Sequence, residues 1–545
     1  MAAVGPAAGA PAGAAGGAGK WREYLDDPVS MPKARKFAIF GIMAFGQFMA
    51  LLDIQIVAAS LNDIQAGLSA GPDEVSWVQT AYLMAELVMI PFAAYLSQAM
   101  STRWLFAASA ALFTLSSILC GLAWNIETMI AFRALQGFTG GAMVPTVFAV
   151  GFTLFQGKDR AMIPAILGMV AVLAPTLGPT VGGLITHAVD WRWIFFVNIV
   201  PGIVVTLLAI RTIHVDRARP AMFARIDYVH LVSMIAFLAG LEYVLEEGPK
   251  QDWFSDPAIA TAAWVSLVGF AVFLERAFFS SAPIVRLDAF RKHSFAFACV
   301  FNLVIGFGIY GAIYLIPLYL GRVRGYDSLQ IGTTVFVVGI AQIFSTILAA
   351  RLSQVVDRRI MITVGLILFA TSLRLNSEMT AQWGFAELLL PQVVRGLAIM
   401  LCIVPSVNMA LEGFAGAALS QASGVFNLMR NLGGAIGIAV VNTWLQDNTR
   451  TQALRFGEAM GNHAQSAEAM LAALTQRMLA YTPDLAHAQE MASGVMARVI
   501  QREALTIGFN DVFHVMFWLF LGALMMVPFS GRPKPGGAPA PLEAH

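Results

Sequence analysis

Charge is scarce in this sequence. Asp, Glu, Lys and Arg make up 12% of it, about half the ~25% of a soluble domain. The formal net charge is +1, so the basic surface that nucleic acid requires is missing and that partner is excluded. Cysteine is nearly absent. Cys120, Cys299 and Cys402 each fall inside an apolar run, and three scattered thiols at such depth form neither a disulfide framework nor a metal site. No P-loop, HExxH or GxSxG occurs, so the chain is not expected to be an enzyme, and ATP hydrolysis on it is excluded. Ion gradients or passive flow remain, with no cofactor beyond a proton gradient. The N-terminus also lacks the apolar core of a signal peptide: residues 1–19 are Ala, Gly and Pro apart from Met1 and Val4. That stretch, like Arg532–His545, reads as a flexible tail.

Long apolar runs are what the sequence has in quantity. Fourteen are long enough to cross a bilayer: 37–59, 75–98, 103–123, 128–155, 161–187, 191–211, 229–246, 258–279, 294–320, 328–351, 359–376, 385–410, 421–445 and 508–529. A hydrocarbon core about 30 Å thick needs ~20 apolar residues at 1.5 Å each. The fold class expected is an all-α polytopic membrane protein. Lys and Arg orient it. With the N-terminus in the cytoplasm, 21 basic residues lie inside, against Arg192, Lys250, Arg322, Arg324 and Arg374 in the short outside loops. Both termini are then cytoplasmic.

The spans group as six, two and six. A disordered cytoplasmic tail, 1–36, precedes an N-terminal six-helix bundle, 37–211. A linker with two additional helices, 212–293, leads to a C-terminal bundle, 294–530, and a tail, 531–545. Two six-span bundles with a site between them at mid-membrane are how many secondary transporters are built. The segment Gln446–Ile507, between the last two spans, falls outside and has apolar residues spaced as on amphipathic helices. It reads either as a helical cap on the outer face or as a docking surface for a partner protein.

Ionisable groups at membrane depth are costly, and each is a functional candidate: Asp53, Glu86, Arg133, Glu242, Arg395 and Arg430. Asp53 stands between leucines and isoleucines as a solitary carboxylate. Desolvation favours the neutral form of a carboxyl group, so a group placed there can take and release a proton at cellular pH. The alternative is a carboxylate that caps or pairs at the outer water boundary. Glu86 is the most central acid of the first half, either carrying the coupling proton or making a structural hydrogen bond. Arg133 cannot lose its proton, and separating it from a nearby acid would shift that acid's proton affinity. Arg430, with Asn427 beside it, is the similar cation of the second half, facing an anionic substrate group or a structural partner. The fifth span holds Ala174-Pro175-Thr176-Leu177-Gly178-Pro179-Thr180-Val181-Gly182-Gly183, in which prolines interrupt the helical ladder and glycines thin the surface. Such a segment suits a bending, closely packed gate helix.

These segments resemble the 14-span drug:proton antiporter branch of the major facilitator superfamily, the EmrB/QacA type, over roughly 37–530. Leu52-Asp53-Ile54-Gln55-Ile56-Val57 is similar to that branch's acidic motif in the first span. Arg133–Gly137, with Gln136 inside it, resembles its RxxxG motif. Gly178-Pro179-Thr180-Val181-Gly182-Gly183 matches the GPxxGG antiporter motif, and Asp190–Asn198 resembles its WRWIFFIN segment. The resemblance implies two six-helix bundles plus two extra central helices, rocking around a central cavity. It implies efflux of hydrophobic or amphipathic small molecules in exchange for protons, across the inner (plasma) membrane of a bacterium. Asp53, Glu86 and Arg133 would couple the proton. Arg430, Asn427 and Gln136 would line the cavity or pair charges, and Pro175, Gly178, Pro179, Gly182 and Gly183 would form the gate motif. A periplasmic adaptor and an outer-membrane channel would be partners, met through Gln446–Ile507.

Two departures stand out. The loop after the second span reads Ala94-Tyr95-Leu96-Ser97-Gln98-Ala99-Met100-Ser101, without the Gly and Asp of the family motif, so Asp357, Arg358 and Arg359 are expected to supply the cytoplasmic gate. Glu86 stands where the family suggests a neutral residue, pointing to a different coupling site or a preference for cationic substrates. Competing functions are transport of a single metabolite or siderophore, and a non-transporting sensor or scaffold.

Overall fold

The computed structural model describes residues 27–530 except 463, so both predicted tails lie mostly outside the described residues, as do the side chains of Pro175 and Pro179. Every regular element among the described residues is helical. The first half comprises α1 (Lys33–Ala59), α2 (Leu61–Leu68), α3 (Pro72–Met100), α4 (Thr102–Gly121), α5 (Ile126–Gly141), α6 (Met143–Leu154), α7 (Met162–Ala188), α8 (Trp193–Phe196) and α9 (Ile199–Thr212). The inserted pair is α10 (Tyr228–Glu247) and α11 (Pro257–Phe279). The second half comprises α12 (His293–Arg322), α13 (Ser328–Leu352), α14 (Arg358–Asn376), α15 (Phe385–Leu411), α16 (Gly416–Asn462), α17 (Ala464–Met478) and α18 (Leu485–Met526).

Among the described residues, 13 segments are long and apolar enough to span. The predicted span 161–187 coincides with α7, an unbroken helix of 27 residues, in which the continuous run of described side chains, Met162–Ala171, is apolar. The prolines expected to interrupt this helix do not end it, since α7 runs unbroken through positions 175 and 179. Two other spans are interrupted instead. The regular helix lapses in the fourth at Ala142, between Gly140-Gly141 and Pro145, and in the sixth at Val197-Asn198, before Pro201, while the backbone there keeps right-handed helical angles.

Helix pairing repeats between the halves. In the first, α1 packs on α7, α3 on α5 and α4 on α9. In the second, α12 packs on α16, α13 on α15 and α14 on α18. Each half thus joins its first span to its fifth, its second to its fourth and its third to its sixth. The halves meet along α3–α16, α6–α16, α7–α13 and α7–α15. Small residues set the spacing, as membrane packing favours. A Cβ added to Gly178 would overlap the side chain of Gln55, so α7 lies directly on α1.

The inserted pair straddles the seam between the halves, because α10 packs on both α3 and α16. Trp77 and Tyr243 stack at 5.4 Å, Thr80 Oγ1 donates to Glu247 at 3.1 Å, and Trp253 Nε1 donates to Thr443 Oγ1 at 3.0 Å.

The segment 446–507 holds no independent unit. Residues 446–462 continue α16, and α18 begins at Leu485. At 1.5 Å per residue these helices of 47 and 42 residues reach about 70 and 63 Å, twice the ~30 Å hydrocarbon thickness. They extend beyond any membrane as a helical projection, with α17 packed on α18.

Candidate transport site

Asp53 is not solitary. Its Oδ2 meets Arg133 Nη1 at 2.6 Å, while its Oδ1 accepts from Asn198 Nδ2 at 2.7 Å and from Gln136 Nε2 at 3.1 Å. Arg133 also donates from Nη1 to Gln136 Oε1 at 2.7 Å and from Nε to the Val78 carbonyl at 3.2 Å. Its guanidinium lies over the Tyr82 ring at 4.3 Å. Asn198 Nδ2 further donates to Ser117 Oγ at 3.1 Å. Asp53 is 1% exposed and Arg133 is fully buried. A carboxylate and a guanidinium removed from solvent need such partners, because breaking a buried pair leaves an uncompensated charge. The flanking leucines and isoleucines suggested isolation; the partners come from α3, α5 and the turn before α9, which local sequence does not reveal.

Local structure aims each group. Asn198 sits at the junction of α8 and α9, and its side-chain amide reaches Asp53. Gly137 presses against the backbone of Tyr82, where a Cβ would overlap the carbonyl. That approach brings α5 close enough for Arg133 to reach the α3 backbone. Asn198 and Tyr82 were not singled out beforehand. Asn198 did close the quoted Asp190–Asn198 segment, which was its only signal.

A separate cavity of about 110 Å³ lies between the halves. Leu51, Ile54 and Gln55 of α1 face it, as do Gln79, Leu83 and Glu86 of α3. Glu242 and Glu246 come from α10, Tyr310 from α12, and Asn431 and Gly434 from α16. At 100° per residue, Asp53 points away from the cavity-facing Leu51 and Gln55. The buried ion pair and the cavity therefore sit on opposite sides of α1. Glu86 belongs to the cavity rather than to the Asp53 network, so the structure separates the three residues expected to act together. Arg430 donates from Nη2 to Asn427 Oδ1 at 3.1 Å and sits 5.9 Å from the Phe148 ring. Gln136 pairs charges within the first half instead of lining the cavity. Arg395 is buried, with Nη1 lacking a hydrogen-bond partner among the described residues.

Cross-half hydrogen bonds gather at the end that the charge pattern assigns to the cytoplasm. Ser97 Oγ and Ser420 Oγ are 3.1 Å apart, Arg160 Nη2 donates to the Leu411 carbonyl at 3.0 Å, and Ser423 Oγ donates to the Pro145 carbonyl at 3.1 Å. Of the expected gate residues, Asp357 caps α14 by accepting from Arg359 N at 2.9 Å. Arg358 pairs with Glu412 inside the second half. In the gate motif, Gly178 and Gly182 contact α1 at Gln55 and Ile56, and Thr180 faces Gly332 of α13. Gly183 lies in the same helix.

A buried ion pair inside one bundle, a cavity between two matching bundles and a closed end form a transporter's arrangement. A family profile described as Major Facilitator Superfamily matches residues 43–438. The chain belongs to the major facilitator superfamily. Within the superfamily, it is 37% identical to the colistin resistance protein EmrB of Acinetobacter baumannii, over 94% of this chain and 99% of that one. It is 27% identical to the multidrug export protein EmrB of Escherichia coli K12, over 91% and 95%. The fold is also that of the major facilitator superfamily proton:xylose symporter XylE, with a TM-score of 0.57 at 12% identity, covering 92% of this chain and 97% of that one. Both the drug-exporter resemblance and the expected fold class stand, and the chain is a multi-pass membrane protein.

Proposed function

We propose that this protein is a proton-coupled multidrug efflux transporter working by alternating access. The carrying observation is the buried Asp53–Arg133 pair on the far side of α1 from the inter-bundle cavity, in a chain 37% identical to an EmrB resistance protein. A proton arriving on an Asp53 carboxylate oxygen converts the ion pair to a weaker hydrogen bond between the Arg133 guanidinium and a neutral carboxylic acid. Arg133 keeps its charge throughout. The tie between α1 and α5 loosens, and α1, whose other side lines the cavity, shifts with it. Hydrophobic or amphipathic compounds leave outward as protons enter. The protein acts in a bacterial inner membrane with both termini cytoplasmic, and it is a carrier, not an enzyme. The projecting ends of α16 and α18 are the surface that a periplasmic adaptor, and through it an outer-membrane channel, would meet.

Expression in a bacterial host stripped of its own pumps tests this reading. Tolerance should rise for chemically unrelated hydrophobic compounds, and a protonophore should abolish intracellular dye exclusion. Unchanged tolerance to every compound, at verified membrane expression, would overturn it.

A further inference from the structure

Glu242 is the charged group that the coupling scheme leaves unused. It is 5% exposed, it lines the inter-bundle cavity, and its Oε2 is buried with no hydrogen-bond partner among the described residues. Its neighbours along α10 are occupied. Glu247 accepts from Thr80 Oγ1 at 3.1 Å and meets Lys250 Nζ at 2.9 Å. Glu246, one turn beyond Glu242 on the same face, lies 3.7 Å from Lys250. On α3, against which α10 packs, Glu86 lines the same cavity and has no ion pair within 4 Å among the described residues, and Arg430 turns to Asn427 and is not part of the lining.

A carboxyl group with a buried, unpartnered oxygen is costly as an anion unless a cation joins it, and otherwise it holds a proton. Leucines and isoleucines form the apolar part of the wall beside Gln55, Gln79 and Asn431, with the Tyr310 ring from the facing half, and an aromatic face attracts an organic cation. We propose that the inserted helix α10 supplies the cation-binding group of the transport cavity. Glu242 acts there as counter-ion to the charged end of a hydrophobic organic cation, with Glu86 of the adjoining α3 on the same cavity. The present volume of about 110 Å³ is below the ~300–1,000 Å³ of a drug-sized pocket. It therefore fits the charged end, and the body of the compound extends toward the seam between the halves. The inserted pair is thus part of the binding site and not only a spacer between bundles. This inference rests on the export reading and deepens it.

Binding of the permanently charged tetraphenylphosphonium ion and of the neutral dye Nile red to the purified full chain tests it. Wild type should bind both. Glu242→Gln should weaken phosphonium binding at least ~30-fold, as truncating one side of a buried charge pair does, with Nile red affected far less. Glu242→Asp, which keeps the charge, should retain most phosphonium binding. Glu490→Gln, on the exposed projection, is the control expected to match wild type. Phosphonium binding by Glu242→Gln at wild-type strength would overturn the proposal, as would equal losses in Glu242→Gln and Glu242→Asp. A wild-type protein that exchanges protons for neutral or anionic compounds yet binds no phosphonium would overturn it while leaving the export reading intact. A protein that exchanges protons for no compound would instead refute the export reading itself.

Discussion

Asp53 and Arg133 stabilise each other only as a pair. Each is buried, and each would be an uncompensated charge without the other. Removing Arg133 alone, as Arg133→Leu, should cost about 3–5 kcal/mol. The double variant Asp53→Asn/Arg133→Leu should be more stable than Arg133→Leu alone, because the stranded carboxylate is gone. Thermal unfolding in detergent, followed by size-exclusion chromatography, checks this. A double variant as unstable as the sum of the singles would mean that the two side chains are not energetically coupled. Arg133→Lys should not rescue fully, because one ammonium cannot reproduce the fork that reaches Val78, Gln136 and Asp53 together. At this scale the candidate residues were legible and their partners were not. Acids and arginines amid apolar residues announce themselves by cost. Asn198 does not, because an Asn near a span end is ordinary until tertiary packing sets it beside Asp53.

Among the elements at the seam are α3 from the first half and α16 from the second. They touch at the inner end through Ser97 and Ser420, whose hydroxyl oxygens are 3.1 Å apart. If the cavity must open at that end, the contact has to separate in every cycle. Ser97→Cys/Ser420→Cys should form a disulfide under mild oxidation, since the two Oγ atoms already lie side by side, and the link should stop transport. A thiol reductant should restore it, with the native cysteines silent because all three are buried. Cross-linked protein that transports at the wild-type rate would show that this end stays shut. Sequence carried the close packing of α7, because a Gly-rich helical segment means close approach, but not its partner, which is α1 with Gly178 against Gln55. It carried the external segment poorly. No proline interrupts the chain between Pro405 and Pro483, and a polar run of good helix formers does not reveal that it extends the span before it. The position of α10 was hidden for a different reason. Two apolar helices inserted between bundles can lie anywhere around them, and only tertiary packing puts Glu242 on the cavity wall.

On the proposed reading, the whole molecule separates its two tasks in space: proton chemistry in the interior of the first bundle, substrate contact at the seam, and α1 shared by both. That division makes exchange a mechanical consequence of neutralising one ion pair, provided that Asp53 is the group that takes the proton. Proton movement in energised inside-out vesicles, read with a fluorescent reporter of the pH gradient, tests this most directly. Hydrophobic drugs, fatty acids and phenolics would be added to vesicles holding wild type or Asp53→Asn, each checked for equal insertion. Substrate should trigger proton release in wild type and none in Asp53→Asn. Equal release from both would contradict the account and move the coupling proton elsewhere, with Glu86 the first acid to examine.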